Sequence, residues 1–232
     1  KKYIVIYLNN GYNKLMPNLI SLTARSLKTR IQNNFLKLPE KPKCVIVSPG
    51  GCGSVNLIKY LEKYCKSNLY FEKKYDISIL GHLYKPPNSF FKNNVKVIVL
   101  KRNFNEIFES MKTRGFIRNG LITYGDLIPY LYTNLYKDNN KLKKRFVKYL
   151  NFFYSNWKLY PKNLKLEINY KDLYSKKISK HRIANFLSIK NKEFLKKFPT
   201  YKKYNKTRNF IDPSTLLSKE IEKYKNQNIS KK

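Results

Sequence analysis

Cys44-Val45-Ile46-Val47-Ser48-Pro49-Gly50-Gly51-Cys52-Gly53-Ser54 is the stretch on which the reading of this chain turns. Its first four residues are apolar with no polar alternation, as expected of a central strand buried on both faces. Proline and three glycines then force a turn. Residues 54–66 place Leu57, Ile58, Leu61 and Tyr64 on one side of a helix. A Gly-rich turn between a strand and a helix lets the backbone approach an anion. The helix N-terminus adds N–H groups and a partial positive charge. Ser54 adds a hydroxyl. The loop is not of the G-x-x-x-x-G-K-[ST] type, because no Lys stands between Gly53 and Ser54 to reach β/γ-phosphates.

Further along, Val95-Lys96-Val97-Ile98-Val99-Leu100 reads as a stronger strand and residues 104–113 as a helix. Residues 76–80 read as a further strand and Leu164–Ile168 as an alternating one. Helices are expected over 17–36 and 178–188, and two within 121–160. A short strand at 3–8 and a short helical pattern within 214–232 complete the pass. Strands alternating with helices predict a parallel sheet in one α/β domain spanning residues 1–232.

Arg102 falls just past the carboxyl end of the 95–100 strand, where ligands bind in open α/β sheets. Ser110 lies about two turns into the next helix. An Arg and a Ser so placed can close on one phosphate. Gly81-His82-Leu83 lies between the two loops in sequence and is expected at the same sheet edge. His is the usual base near neutral pH.

Composition sets the outer bounds. Hydrophobic residues make up 42% of the 232, enough for a packed core. The formal charge is +35, from 49 basic and 14 acidic residues. The basic residues are mostly Lys and are spread along the chain, whereas base and phosphate readout favours Arg. That argues against nucleic acid as partner; a polyanion-binding protein stays as the non-enzymatic alternative. Three cysteines at spacings that fit no zinc pattern suggest a reducing compartment and no metal. A cytoplasmic location is expected, with an anchor upstream of Lys1 left open.

Taken together these segments resemble the family of sulfotransferases that use 3′-phosphoadenosine 5′-phosphosulfate (PAPS). The family's first loop reads P-K-S-G-T-T or P-R-S-G-[ST], its second R-N-P-x-D-x-x-x-S, and its cytosolic members carry K-T-H-L-P between them. Leu166-Glu167-Ile168-Asn169-Tyr170-Lys171-Asp172-Leu173 resembles its Y-E-D-L segment, and Ile183-Ala184-Asn185-Phe186-Leu187 its I-x-x-F-L. The resemblance covers about residues 44–190. It implies a three-layer α/β/α fold with a mostly parallel central sheet, similar to P-loop nucleotide kinases. It also implies a nucleotide-binding loop over Gly50, Gly51, Cys52, Gly53, Ser54 and Val55, with the 3′-phosphate on Arg102 and Ser110. His82 is the implied base. Gly51 stands where the family has its basic residue, and Lys85 is the expected substitute, with Lys101 second. Val55 replaces a Thr and Leu80 a Lys. The G-x-x-G-x-W-[KR] segment has no counterpart beyond Lys206 and Arg208. The acceptor, a carbohydrate, lipid, phenol or peptide, is left open, as is a phosphotransferase on the same type of fold.

Overall fold

Strand β1 (Val45–Val47) is buried at every position, as its unbroken β-branched run predicts, but among the described residues it lies at the edge of the sheet and not at its centre. It pairs in parallel with β2 (Val97–Lys101), and β2 pairs in parallel with β3 (Lys165–Asn169), giving a sheet of order β1-β2-β3. The register sets Val45 beside Val97 and Val97 beside Lys165. The computed structural model describes residues 34–38, 40–75, 80–113, 139–175 and 177–199, with 27, 31, 117, 120 and 121 as single positions.

Each strand sends alternate side chains to opposite faces. Ile46, Ile98, Leu100 and Ile168 enter one hydrophobic cluster. That cluster holds α1 (Ser54–Leu61), α4 (Phe104–Thr113) and α7 (Lys177–Leu187) against the sheet. Val45, Val47, Val97 and Val99 enter the other. There Phe71 from α2 (Asn68–Lys74) and Phe90 from α3 (Asn88–Lys92) meet Phe153 and Trp157 of α5 (Asn139–Lys158). The chain is thus a mixed α/β structure with helices on both faces of a small parallel sheet.

Helix α5 shows how pattern becomes position. Leu142, Phe146, Leu150, Phe153 and Trp157 recur every three or four residues and are all buried. Trp157 Nε1–H donates to Leu83 O at 2.9 Å, and Asn156 Nδ2 donates to Tyr84 O at 3.2 Å. Tyr160, just past the helix, donates to Val95 O at 2.6 Å. The apolar stripe therefore also fastens the segment after His82 to the sheet. Short α6 (Tyr170–Ser175) follows β3, and α8 (Lys192–Lys196) follows α7.

Some expectations need correction. The helix after the glycine loop ends at Leu61, and residues 62–64 form a turn. Its N–H to carbonyl ladder tightens there, Tyr64 N donating to Leu61 O at 2.9 Å. Leu80 belongs to a 3-10 turn, Leu80–His82, rather than to a strand, while residues 76–79 lie outside the described residues. Helices α2, α3, α6 and α8 were not expected. Residues 3–8, most of 17–36, 122–138 and 214–232 lie outside the described residues, as do Lys206 and Arg208. Among the described residues no helix is long and apolar enough to cross a membrane, and no group of three or more His, Cys, Asp or Glu could hold a metal ion. Cys44, Cys52 and Cys65 are free thiols.

Candidate functional site

The loop between β1 and α1 folds as it does because its glycines take left-handed backbone angles: φ is 85° at Gly50, 67° at Gly51 and 68° at Gly53. Gly53 has a second reason. A Cβ there would lie 2.6 Å from Tyr170 Cε2, so no larger residue fits while that ring is in place.

The loop's carbonyls are consumed by side chains. Ser48 O faces His82 Nδ1 at 2.9 Å, and Gly50 O accepts the Cys52 thiol at 3.3 Å. Gly51 O accepts Arg102 Nη1–H at 2.6 Å, and Gly53 O accepts the Tyr174 hydroxyl at 2.9 Å. The start of α1 is treated differently. Its N-cap is Gly53, which offers no side-chain acceptor, and no acidic residue sits in its first turn. The first-turn N–H groups thus lack a side-chain cap, with their positive partial charge uncompensated by a carboxylate. Ser54, nearly fully buried, receives the Ser48 hydroxyl at 3.0 Å.

Arg102 is held from three sides. Besides Gly51 O, its Nε–H donates to Glu106 Oε2 at 3.0 Å, and its guanidinium carbon lies 4.5 Å from the centre of the Tyr170 ring. The Arg102 hydrogen bond holds the Glu106 carboxyl below its ordinary range, with Lys171 assisting. Lys171 Nζ is 3.2 Å from the other Glu106 oxygen. Ser110 is half-buried one helical turn past Glu106, so the carboxylate stands between Arg102 and Ser110 along α4.

His82 is laced to the loop by two bonds. Ser48 N donates to Gly81 O at 3.0 Å, and His82 Nδ1 pairs with Ser48 O. A carbonyl oxygen only accepts, so Nδ1 carries the hydrogen of this pair. Beside it is a cavity of about 170 Å³, lined by Ser54, Val55, Ile58, Lys59, Leu69, Glu72, Gly81 and His82. Glu72 Oε1 accepts Gly81 N–H at 3.3 Å. Burial pushes the Glu72 carboxyl up to about 7, against the pull of the Gly81 and Leu80 hydrogen bonds, with the nearby negative Glu62 adding to the rise.

The structure therefore brings Gly50, Gly51, Cys52, Gly53, Ser54, His82 and Arg102 together at one edge of the sheet, with Val55 exposed on the first turn of α1. Cys52 is fully buried, so it meets the site through its backbone. Lys85 is half-buried past the turn and does not line the cavity; Lys59 does. Lys101 forms an ion pair with Glu167 on β3. Sequence reading missed Glu72, Lys59 and the two tyrosines that close over the loop. Asn68 and Glu72 stand four residues apart on α2, and Asn68 clasps β1 by accepting Ile46 N–H at 2.8 Å and donating to Ile46 O at 2.9 Å. In comparisons with protein-family models, curated proteins and solved structures, nothing matches this chain.

Proposed function

We propose that this chain is a PAPS-dependent sulfotransferase with a P-loop nucleotide-kinase-like fold, acting on a hydroxyl or amine acceptor. The observation that carries the reading is the loop itself. Its carbonyls at 48, 50, 51 and 53 are bound by side chains, while α1 begins on N–H groups with no side-chain cap, in the same cavity wall as His82. That donor set suits an anion lying against the start of α1.

The fit is better for the 5′-phosphosulfate than for the 3′-phosphate. For Arg102 and Ser110 to close on one phosphate, Glu106 has to leave Arg102 Nε. Lys171, already 3.2 Å from its other oxygen, is the cation toward which it can swing. When bound, the nucleotide supplies the activated sulfuryl group and a doubly charged leaving phosphate. His82 Nε2 takes the acceptor's proton as the new bond to sulfur forms and the sulfur–oxygen bond to phosphate breaks. The amides at the start of α1 and the Ser54 hydroxyl are placed to stabilise the charge left on that phosphate. Lys59, an exposed residue that lines the cavity, is the candidate for the role expected of Lys85.

The test is calorimetric titration with adenosine 3′,5′-bisphosphate. Charge-assisted hydrogen bonds are worth about 1.5–3 kcal/mol, so Arg102→Ala should weaken binding roughly ten-fold or more. Adenosine 5′-monophosphate should hardly notice the change. Equal losses for both ligands, or no binding by the unmodified chain, would remove the assignment.

A further inference from the structure

Both gripping edges of the Arg102 guanidinium are occupied from within the chain. A guanidinium holds an anion best along an edge, by two parallel N–H bonds. One such edge runs through Nε and the other through Nη1. Glu106 Oε2 accepts from Nε at 3.0 Å, and Gly51 O accepts from Nη1 at 2.6 Å. The Tyr170 ring covers one face, its centre 4.5 Å from the guanidinium carbon. An incoming anion can therefore take an edge only by displacing one of these two acceptors. Gly51 O is backbone of the glycine loop, in a residue held at φ 67°. Glu106 is a side chain in the first turn of α4, and its second oxygen already lies 3.2 Å from Lys171 Nζ. With side chains 19% and 34% exposed, the Arg102–Glu106 pair is reached by solvent, and such pairs are weak enough to exchange. The exchangeable group is Glu106.

We propose that Glu106 is a built-in competitor for the anion at Arg102: its carboxylate holds the Nε edge, yields that edge to an incoming phosphate group, and so sets the affinity and the release rate of the ligand. The proposal deepens the reading of Arg102 as a ligand of the 3′-phosphate and rests on it. The carboxylate is tethered beside Arg102 and so competes at high effective concentration. The bond from Arg102 and the charge of Lys171 hold Glu106 below its ordinary range, so it competes as an anion at neutral pH. In the proposed transfer, adenosine 3′,5′-bisphosphate is the nucleotide left behind. A competing carboxylate shortens its stay, because affinity changes within one site fall mostly on dissociation. The opposite role is a carboxylate that orients Arg102 for its ligand. Removing a competitor tightens binding, whereas removing an orienting group weakens it.

The first probe is inorganic sulfate, a dianion with the shape of a phosphate group. The Arg102 Nε–H resonance of the whole chain, assigned by its loss in Arg102→Lys, is followed by NMR as sulfate is added at a constant ionic strength of about 0.15 M. Glu106→Gln should bind sulfate at Arg102 about two- to five-fold more tightly than the unmodified chain, the gain expected from freeing an exposed ion pair. Glu106→Ala should bind it at least as tightly as Glu106→Gln. Adenosine 3′,5′-bisphosphate should follow, with the gain seen as slower dissociation in stopped flow. Glu109→Gln, an exposed position on the same helix, makes the same change in net charge and should leave sulfate binding at Arg102 unchanged. Unchanged or weaker sulfate binding in Glu106→Gln, an equal gain in Glu109→Gln, or an Arg102 resonance that ignores sulfate in every protein overturns the proposal. If sulfate tightens as expected but adenosine 3′,5′-bisphosphate binds no better than sulfate, the competition stands and the nucleotide reading falls.

Discussion

Replacing Gly53 by Ala should destabilise the chain by an amount its surroundings allow one to work out. The backbone there has φ 68°, and an L-residue held in the left-handed region costs about 1–2 kcal/mol. The added methyl would lie 2.6 Å from Tyr170 Cε2 and 3.2 Å from Cδ2, so the ring must move. Displacing a packed side chain costs about 1–3 kcal/mol. The total is about 2–5 kcal/mol, or a fall of roughly 4–20 °C in Tm for a chain of this size. Thermal unfolding followed by circular dichroism checks the total, and a double-mutant cycle apportions it. In a Tyr170→Ala background the clash is gone, so Gly53→Ala should cost only the backbone share, about 1–2 kcal/mol. Displacing Tyr170 also removes the face on which Arg102 rests, so adenosine 3′,5′-bisphosphate should bind more weakly to the single mutant. Gly53→Ala with a Tm within about 1 °C of the unmodified protein, or an equal cost in both backgrounds, would refute this account of the loop.

Three further outcomes follow from other parts of the molecule. Lys59→Met should lower turnover more than Lys85→Met while leaving nucleotide affinity nearly unchanged, since Lys59 alone of the two lines the cavity; steady-state kinetics with a verified acceptor checks this, and the reverse order would return the role to Lys85. Glu40 accepts hydrogen bonds from Lys74, Tyr70, Lys66 and Tyr75, which hold its carboxyl far below the ordinary range, with Lys74 contributing most. The stability it adds over Glu40→Gln should be full above about pH 4.3 and fade as pH falls below that; a difference that grows on acidification would contradict the sign. Glu72 has the opposite sign: its raised value favours folding most below about pH 4.3, so stability should fall relative to Glu72→Gln as pH climbs toward about 7, and urea unfolding across that range would show it.

The elements legible in the sequence are those whose own side chains make the core. Val45–Val47 and the run 95–100, observed as Val97–Lys101, carry their burial in their residue types, whereas of the two helices expected within 121–160 the described residues show α5 alone. The helix over 104–113 was read at its observed bounds because Ile107, Phe108 and Met111 face the sheet. Helix α2 was not legible for a physical reason. Only Asn68 and Phe71 of its seven residues are buried, and it is held by the Asn68 side chain bonding both backbone groups of Ile46, 22 positions away. Local periodicity carries no trace of such a bond. The same holds for the site. The glycines announced an anion-binding turn, but that Tyr170 and Tyr174 cover it depends on β3 running parallel beside β2 and delivering α6 over the loop. The charge excess was legible and uninformative about the site, where Arg102 and Lys171 are matched by Glu106, and Lys101 and Lys165 by Glu167.

The proposed reaction is sulfuryl transfer with His82 as the base. Its most direct test supplies PAPS labelled in the sulfuryl group, together with pools of carbohydrate, phenol, lipid and peptide acceptors, to the purified chain and to His82→Ala. The account predicts labelled product from at least one pool with the unmodified chain. It also predicts a loss of about 10²–10⁴-fold in turnover for His82→Ala, with affinity for adenosine 3′,5′-bisphosphate nearly intact. Transfer that survives in His82→Ala would contradict the assignment of the base. An unmodified chain that neither binds the nucleotide nor transfers label to any pool would contradict the function itself.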